Sequence, residues 1–372
     1  MPLLLDLPRI YFDFGAVGAL PSELARLHMG RPLFMTDRSL VECGVLNQVM
    51  STLPSKTVFP VFDETPENPT VAGVEKAREI YMNQGCDGVI AVGGGSVIDS
   101  SKALALRSVH PAPIAQYERH PEKVTKATTP IIAIPTTAGT GSEVTSGAGI
   151  HPDPSTPSFG LSSPFLIPKV AICDPLLTMT LPPKLTAGTG MDALGQCVEA
   201  YLAKGNNPII DAIALDGAQR AFKYVERAVV DGSDKEARWH MMMAALEGGI
   251  GIHKGLGSAH AIAIALSDQG FHHGILVTIA LPVLLLFLEG RIGDRMIPLA
   301  KALGLNDGSQ VAPMIERLNS RIGLPATLRS LGYSMGDVDR VAQLCVDSFF
   351  NETAPCVPTL DEYKRIVADT MG

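Results

Sequence analysis

Over the first 177 residues, short apolar runs alternate with stretches whose apolar positions recur at helical spacing. Ile10-Tyr11-Phe12 opens a strand that ends by Gly15, and Pro32-Leu33-Phe34-Met35-Thr36 is a second run closed by Asp37. Helical spacing follows from Ser39 to about Leu53, then a strand over Val58 to Phe62. Asn68-Pro69-Thr70 makes a turn and caps a helix through Asn83. Gly88-Val89-Ile90-Ala91-Val92 is apolar throughout, and Gly93-Gly94-Gly95-Ser96 leads from it into a helix reaching about Leu106. Residues 107–129 are polar and Pro-containing, a surface connection before the strand Ile131-Ile132-Ala133-Ile134. Strands apolar on both faces, separated by helices, specify a parallel sheet covered on both sides.

After Pro175 the strand signal fades, and from Leu181 onward the pattern is helical almost throughout. Ser334-x-x-Asp337 resembles a capping box, Thr359-x-x-Glu362 is one in strict form, and Gly304, Gly323 and Gly332 stand where helices would stop. The expectation is an α/β domain over 1–177 and an all-helical domain over 178–372. The run Ile275 to Leu288 is 14 residues long and contains Pro282, too short for the ~20 a spanning helix needs, and reads as a core helix.

Composition narrows the function. With 46% hydrophobic and 18% charged residues the chain can build large cores, and its net charge of −8, without a Lys/Arg run, argues against nucleic acid and anionic membranes. Six scattered cysteines, none in a CxxC pair, behave as reduced core residues. Met1-Pro2-Leu3-Leu4-Leu5-Asp6 has no basic segment and is not read as a signal peptide, so a cytoplasmic location is expected.

Three stretches carry candidate chemistry. The glycine triplet ends a strand and opens a helix, so its backbone can approach a ligand closely and the helix N–H groups can receive a phosphate; Ser96, with Asp99 three residues on, is expected to cap that helix. A tight strand–helix turn alone would also use glycines. Pro135-Thr136-Thr137-Ala138-Gly139-Thr140-Gly141-Ser142-Glu143-Val144-Thr145-Ser146 also follows an apolar strand, and its hydroxyls suit a nucleotide. Asp37, at the end of an earlier strand, can accept from ribose hydroxyls and would repel a 2′-phosphate, which favours NAD over NADP.

The third stretch is Gly190-Met191-Asp192-Ala193-Leu194-Gly195-Gln196-Cys197-Val198-Glu199-Ala200, where Asp192, Gln196 and Glu199 share one face of a mostly apolar helix. Such groups need a polar partner: a cation, a substrate or a hydrogen-bond network. Asp192 capping its own helix is the bland alternative. His253, His260, His272 and His273 cluster downstream, and His260 lies among small apolar residues, which favours a polar active site with Asp192 over a structural pair.

Gly93-Gly94-Gly95-Ser96-x-x-Asp99-x-x-Lys102, Pro135-Thr136-Thr137-Ala138-Gly139-Thr140, Gly190-Met191-Asp192-Ala193-Leu194 and His273-Gly274 together resemble, in order and spacing, the iron-containing (group III) alcohol dehydrogenases. The likeness runs from the Asp37 strand to about Pro282 and weakens toward the end. It implies a dehydroquinate synthase-like fold, a dinucleotide-binding α/β domain with a helical metal-binding domain, and NAD-dependent interconversion of an alcohol and an aldehyde or ketone, the chain acting as a homodimer. By position, cofactor contacts fall on Asp37, Gly94, Gly95, Ser96, Thr136, Thr137 and Thr145, and the ligands of a divalent iron or zinc on Asp192, Gln196, His260 and His273. Asp192, His260 and His273 are then the catalytic set.

The chain departs from the family at Gln196, where histidine is usual, and at Ile264, which removes an imidazole suited to proton relay. The His260–His273 segment is one residue shorter than usual, and Ser158 replaces a basic residue. One carboxylate and two imidazoles still suit iron or zinc, held more weakly. Two alternatives stay open: a metal-free enzyme resembling the maleylacetate reductases, with His260 or His273 polarising the carbonyl, and a nucleotide-binding protein without catalysis. Retained Asp192 speaks against the first. Lys102, Cys197, Trp239 and Met241-Met242-Met243 are read as structural.

Overall fold

The computed structural model describes residues 6–54, 57–333 and 337–372, so Met1–Leu5 and the Ser334 end of the Ser334–Asp337 motif lie outside the described residues. The chain forms two compact units: Asp6–Thr137 with Ser142–Thr180, and Leu181–Gly372 with the short loop Ala138–Gly141.

The first unit runs β1 (Arg9–Phe12), α1 (Leu20–Arg26), β2 (Leu33–Met35), α2 (Arg38–Glu42), α3 (Val45–Met50), β3 (Val61–Phe62), α4 (Val71–Asn83), β4 (Val89–Gly93), α5 (Gly95–Arg107), the single turn α6 (Gln116–Arg119), β5 (Ile131–Pro135), the pair β6 (Gly147–Ile150) and β7 (Phe159–Ser162), and β8 (Val170–Cys173). Six strands pair in parallel in the order β1-β8-β5-β4-β2-β3. Side-chain alternation splits their apolar residues between two cores. Leu33, Met35, Val89, Ala91, Ile131 and Ala133 pack with residues of α4 and α5 on one face, and Phe34, Ile90, Val92, Ile132 and Ile134 with α1 and α3 on the other. From β2 the chain adds β3 on one side, then returns to place β4 on the other. The strand order therefore reverses between β2 and β4, where open α/β sheets bind ligands at the strands' carboxyl ends.

Three local expectations need correction. The helix from Ser39 is two helices, because Gly44 takes φ +84° between them and ends the first. The strand expected over Val58–Phe62 is only Val61–Phe62. The β6–β7 antiparallel hairpin was not anticipated, its four-residue strands being too short and glycine-rich to signal themselves.

The second unit consists of α7 (Pro183–Leu202), α8 (Pro208–Val230), α9 (Lys235–Ile252), α10 (Ser258–Ala265), α11 (His273–Leu288), α12 (Met296–Ala302), α13 (Val311–Arg321), α14 (Val338–Val346) and α15 (Leu360–Met371). α11 stays helical through Pro282 and is buried along most of its length, and no helix among the described residues is long and apolar enough to cross a membrane. Thr359 and Glu362 close the capping box of α15, and Asp337 caps α14. Helix α7 is the central element, buried from Thr186 through Leu202. Its glycines let neighbours in. A Cβ at Gly195 would meet Val277 Cγ1 of α11 at 2.6 Å, and one at Gly190 would meet Val225 Cγ2 of α8 at 2.7 Å and Met241 Cε of α9 at 2.8 Å. At its end, the carbonyl of Tyr201 accepts from Lys254 Nζ at 2.9 Å and from Arg295, cations placed where the helix dipole favours them.

Candidate active site

In the α/β unit the nucleotide candidates gather at the carboxyl ends of β4, β5 and β2. Gly94 is the N-cap residue of α5 and makes no side-chain cap, so the first N–H groups of that helix stay available to an anion. A Cβ at Gly94 would come 3.1 Å from Thr137 Cγ2, which sets the two loops side by side, and Thr136 N donates to Gly93 O at 3.1 Å. The expected Ser96–Asp99 cap is not formed. Ser96 Oγ donates to the Glu67 carbonyl, while Asp99 accepts from Ser142 Oγ at 2.5 Å and from Gly149 N at 2.9 Å, tying α5 to the next loop rather than to its own start. Asp37 caps α2, accepting from Leu40 N at 3.1 Å.

Lys102 has a more specific place than a structural residue of α5. It is fully buried, and Nζ donates to Ser142 Oγ at 2.9 Å, Thr145 Oγ1 at 3.2 Å and Gly147 O at 2.6 Å. Burial pushes the ammonium down to about 8 against the opposing pull of Asp99 and Glu143. The threonine of the second loop is thus held from beneath by a lysine three residues from Asp99. Its signal was the Asp-x-x-Lys spacing on one helix face.

In the helical unit, Asp192 on α7, His260 in the first turn of α10 and His273 at the start of α11 come together, one ligand-type atom from each lying within 4.8 Å of the others. His260 Nε2 is 3.5 Å and His273 Nε2 3.8 Å from Asp192 Oδ1. Asp192 and His260 are buried, and His273 is partly exposed. Among the described residues, Asp192 Oδ1, His260 Nε2 and Gln196 Oε1 are buried atoms with no hydrogen-bond partner. Two imidazole nitrogens and a carboxylate oxygen converge, two of these three atoms buried without a partner, and such a set fits a divalent transition metal.

Glu199, noted in the sequence only for sharing a face with Asp192, completes the arrangement. Its Oε2 pairs with His260 Nδ1 and its Oε1 accepts from Ala259 N at 2.8 Å. That pairing holds a proton on Nδ1 and leaves Nε2, which faces Asp192 Oδ1, as the nitrogen a metal would take, the carboxylate–histidine arrangement common behind metal sites. Gln196 Nε2 donates to Asp192 Oδ2 at 3.1 Å and to the Thr140 carbonyl at 3.2 Å. Without a cation, burial alone would discharge His260, but the Asp192 and Glu199 carboxylates outweigh it and hold the imidazole up at about 9. A proton then sits where a metal's charge would. Burial lowers His273, helped by the neighbouring imidazoles. The Phe350 ring lies 5.8 Å from that of His260. Cys197 is no nucleophile: burial raises its thiol well above the usual range, and Sγ donates to Ala244 O at 3.6 Å.

A parallel sheet with a glycine-lined helix start at its switch point, and a helical unit with a buried carboxylate between two imidazoles, define a nucleotide-dependent metal oxidoreductase. Residues 8–175 match the family described as iron-containing alcohol dehydrogenase, and residues 186–371 the C-terminal region of the Fe-containing alcohol dehydrogenase family. The chain belongs to the iron-containing alcohol dehydrogenase family. It is 39% identical to 4-hydroxybutyrate dehydrogenase of Cupriavidus necator over the whole of both chains, and 31% identical to lactaldehyde reductase of Escherichia coli over 95% of each. Among solved structures it resembles a 1,3-propanediol oxidoreductase, with TM-score 0.92, 29% identity and 98% of each chain covered. It also resembles sulfoacetaldehyde reductase of Bifidobacterium kashiwanohense in complex with NAD+, with TM-score 0.89, 29% identity and 100% of this chain and 99% of that one covered.

Proposed function

We propose that this chain is an NAD-dependent oxidoreductase interconverting an alcohol and an aldehyde or ketone, in which Asp192, His260 and His273, with Gln196 beside them, serve a divalent iron or zinc ion. The observation that carries this reading is the convergence of three ligand-type side chains in the helical unit, with Asp192 Oδ1 and His260 Nε2 buried and unpartnered. Family membership supports the reaction class, and neither the metal-free nor the binding-only alternative finds support among the relatives. The sequence domains 1–177 and 178–372 are proposed to divide the work, the first taking the dinucleotide and the second the metal.

When bound, the metal supplies a Lewis acid for the alcohol or carbonyl oxygen, and the dinucleotide exchanges hydride with the adjacent carbon. The residues prepare for this separately. Asp192 and the two imidazoles would hold the ion, and Glu199, paired with His260 Nδ1, would keep Nε2 as the nitrogen offered to it. Gly94 and Gly95 would bring backbone N–H groups to the pyrophosphate, Ser96 in the first turn of α5 and Thr136 and Thr137 in the adjoining loop would lie beside it, and Lys102 fixes Thr145. Asp37, at the end of β2, favours NAD over NADP. With isoleucine at 264, His272, His273 or water has to carry the proton out.

Similarity over full length makes 4-hydroxybutyrate the first substrate to try, with 1,3-propanediol and lactaldehyde beside it. The test is absorbance at the nicotinamide band with NAD and NADP, before and after chelation, and after adding back Fe²⁺ or Zn²⁺. Turnover that chelation abolishes and metal restores is expected; full activity in chelator, or in Asp192→Asn, would refute the reading. Homodimerisation is proposed through the edge strand β1, which pairs only with β8 among the described residues, and light scattering after size exclusion measures it. Six free cysteines support a reducing, cytoplasmic setting.

A further inference from the structure

We infer that Gln196 stands outside the ion's ligand set and acts as a positioning residue, clamping the far oxygen of Asp192 so that three side chains alone, Asp192, His260 and His273, hold the metal. The inference rests on the metal reading above. The side chain of Gln196 faces two oxygens, Asp192 Oδ2 at 3.1 Å and Thr140 O at 3.2 Å, and both accept hydrogen bonds. Only its NH2 end can face them; the reversed amide would set oxygen against oxygen twice. The clamp therefore fixes Oδ2 and leaves Oδ1, 3.5 Å from His260 Nε2 and 3.8 Å from His273 Nε2, as the free carboxylate oxygen.

The remaining atom, Gln196 Oε1, is buried without a hydrogen-bond partner and is turned toward α9. A Cβ at Gly248 would meet it at 3.0 Å, so it rests against α9. The imidazoles come from α10 and α11, and these approach α7 over Gly195 and over Gly188 and Asp192. Oε1 is thus turned toward the helix that carries no imidazole ligand, while Oδ1 faces the two that do. The resulting set of two imidazoles and one carboxylate leaves more positions for solvent and substrate than a four-residue cage.

Two measurements test this. In a crystal of the wild-type chain loaded with Zn²⁺, Gln196 Oε1 is expected beyond about 3 Å from the ion; a ligand distance of about 2.0–2.2 Å overturns the inference. In solution, Co²⁺ binding to wild type and Gln196→Met is followed by visible absorption and by competition with a chelator. Loss of the clamp should weaken binding about 10–100-fold while the bands keep their positions, since the ligands are unchanged. Shifted bands, or unchanged affinity, overturn it. Failure of the wild type to bind Co²⁺, or binding indifferent to Asp192→Asn, overturns the metal reading and this inference together; metal that depends on Asp192 with Gln196 at ligand distance overturns this inference alone.

Discussion

Gly274 supplies no ligand atom, yet replacing it with alanine should empty the metal site. It follows His273 on α11 and lies against α7, where a Cβ would fall well inside 3.0 Å of the Gly188 carbonyl oxygen, 2.9 Å from Gly188 C and 3.0 Å from Asp192 Cβ. The first two obstacles are backbone, so no side chain can swing away. Ordinary contact begins near 3.4 Å, and clearing the Gly188 carbonyl oxygen requires the helices to separate by about 1 Å at this point. His273 rides on the same rigid turn. Metal–ligand distances tolerate about 0.2 Å, so the shift detaches one of three ligands. Zinc affinity should fall by at least about 100-fold, the upper end of what changes behind a metal site cost. Overpacking should also cost about 1–3 kcal/mol, or several degrees of melting temperature. Competition against a chromogenic chelator reads the first, and thermal unfolding of the metal-free protein the second. Gly18→Ala, where a Cβ meets nothing within 4 Å, is the control. Wild-type zinc affinity and a melting point within about 1 °C of wild type for Gly274→Ala would refute the packing argument.

Three further outcomes are expected. Glu199→Gln keeps an acceptor for Ala259 N but removes the charge behind His260, so zinc affinity should drop about 10–100-fold by chelator competition, and no change would remove Glu199 from the site. Lys102→Met removes three hydrogen bonds from a buried ammonium, so the NADH dissociation constant should rise about tenfold by calorimetry, with Thr145 no longer held. Glu247, raised to about 9 by burial and by Asp216, binds a proton in the folded chain that the unfolded chain has lost above its ordinary 4.5. Stability from this group therefore declines as pH rises between those values, by at most about 1.4 kcal/mol per pH unit, and levels off above the upper one. Glu247→Gln should flatten that slope in denaturant titrations at pH 7 to 9, and an unaltered slope would reject the assignment.

The parts of the molecule readable in the sequence are those set by local chemistry. β4 and β5 announce themselves because strands covered on both faces are apolar at every position, and Thr359 with Glu362 because a capping box spans four residues. Ser96 misled for the same reason. Its spacing to Asp99 suits a cap, but Glu67 and Ser142, 29 and 43 residues away from their respective partners, compete successfully for the two side chains. The candidate metal site was visible only as residue types. Nothing in the separation of Asp192, His260 and His273 along the chain states that α10 and α11 meet α7 at one point, and that expectation came from resemblance to a family. Glu199 shows the boundary well: its face of α7 follows from helical periodicity, whereas its partner depends on where α10 docks.

What the sequence does carry about docking is written as a deficit. Gly188, Gly190 and Gly195 stand inside a twenty-residue helix, each costing about 1 kcal/mol in helix propensity relative to alanine. On an exposed helix, replacing them would stabilise the chain. In α7 a Cβ at Gly188 would press on His272 Nδ1 and Ile275 Cγ1, both at 3.3 Å, one at Gly190 on α8 and α9, and one at Gly195 on Val277. The glycines thus mark where other helices crowd α7, and Asp192 lies among them. A carboxylate within a run of helix-weakening glycines makes sense only if close approach by neighbours is worth more than the helix loses. Here two of those neighbours, α10 and α11, carry the two imidazoles.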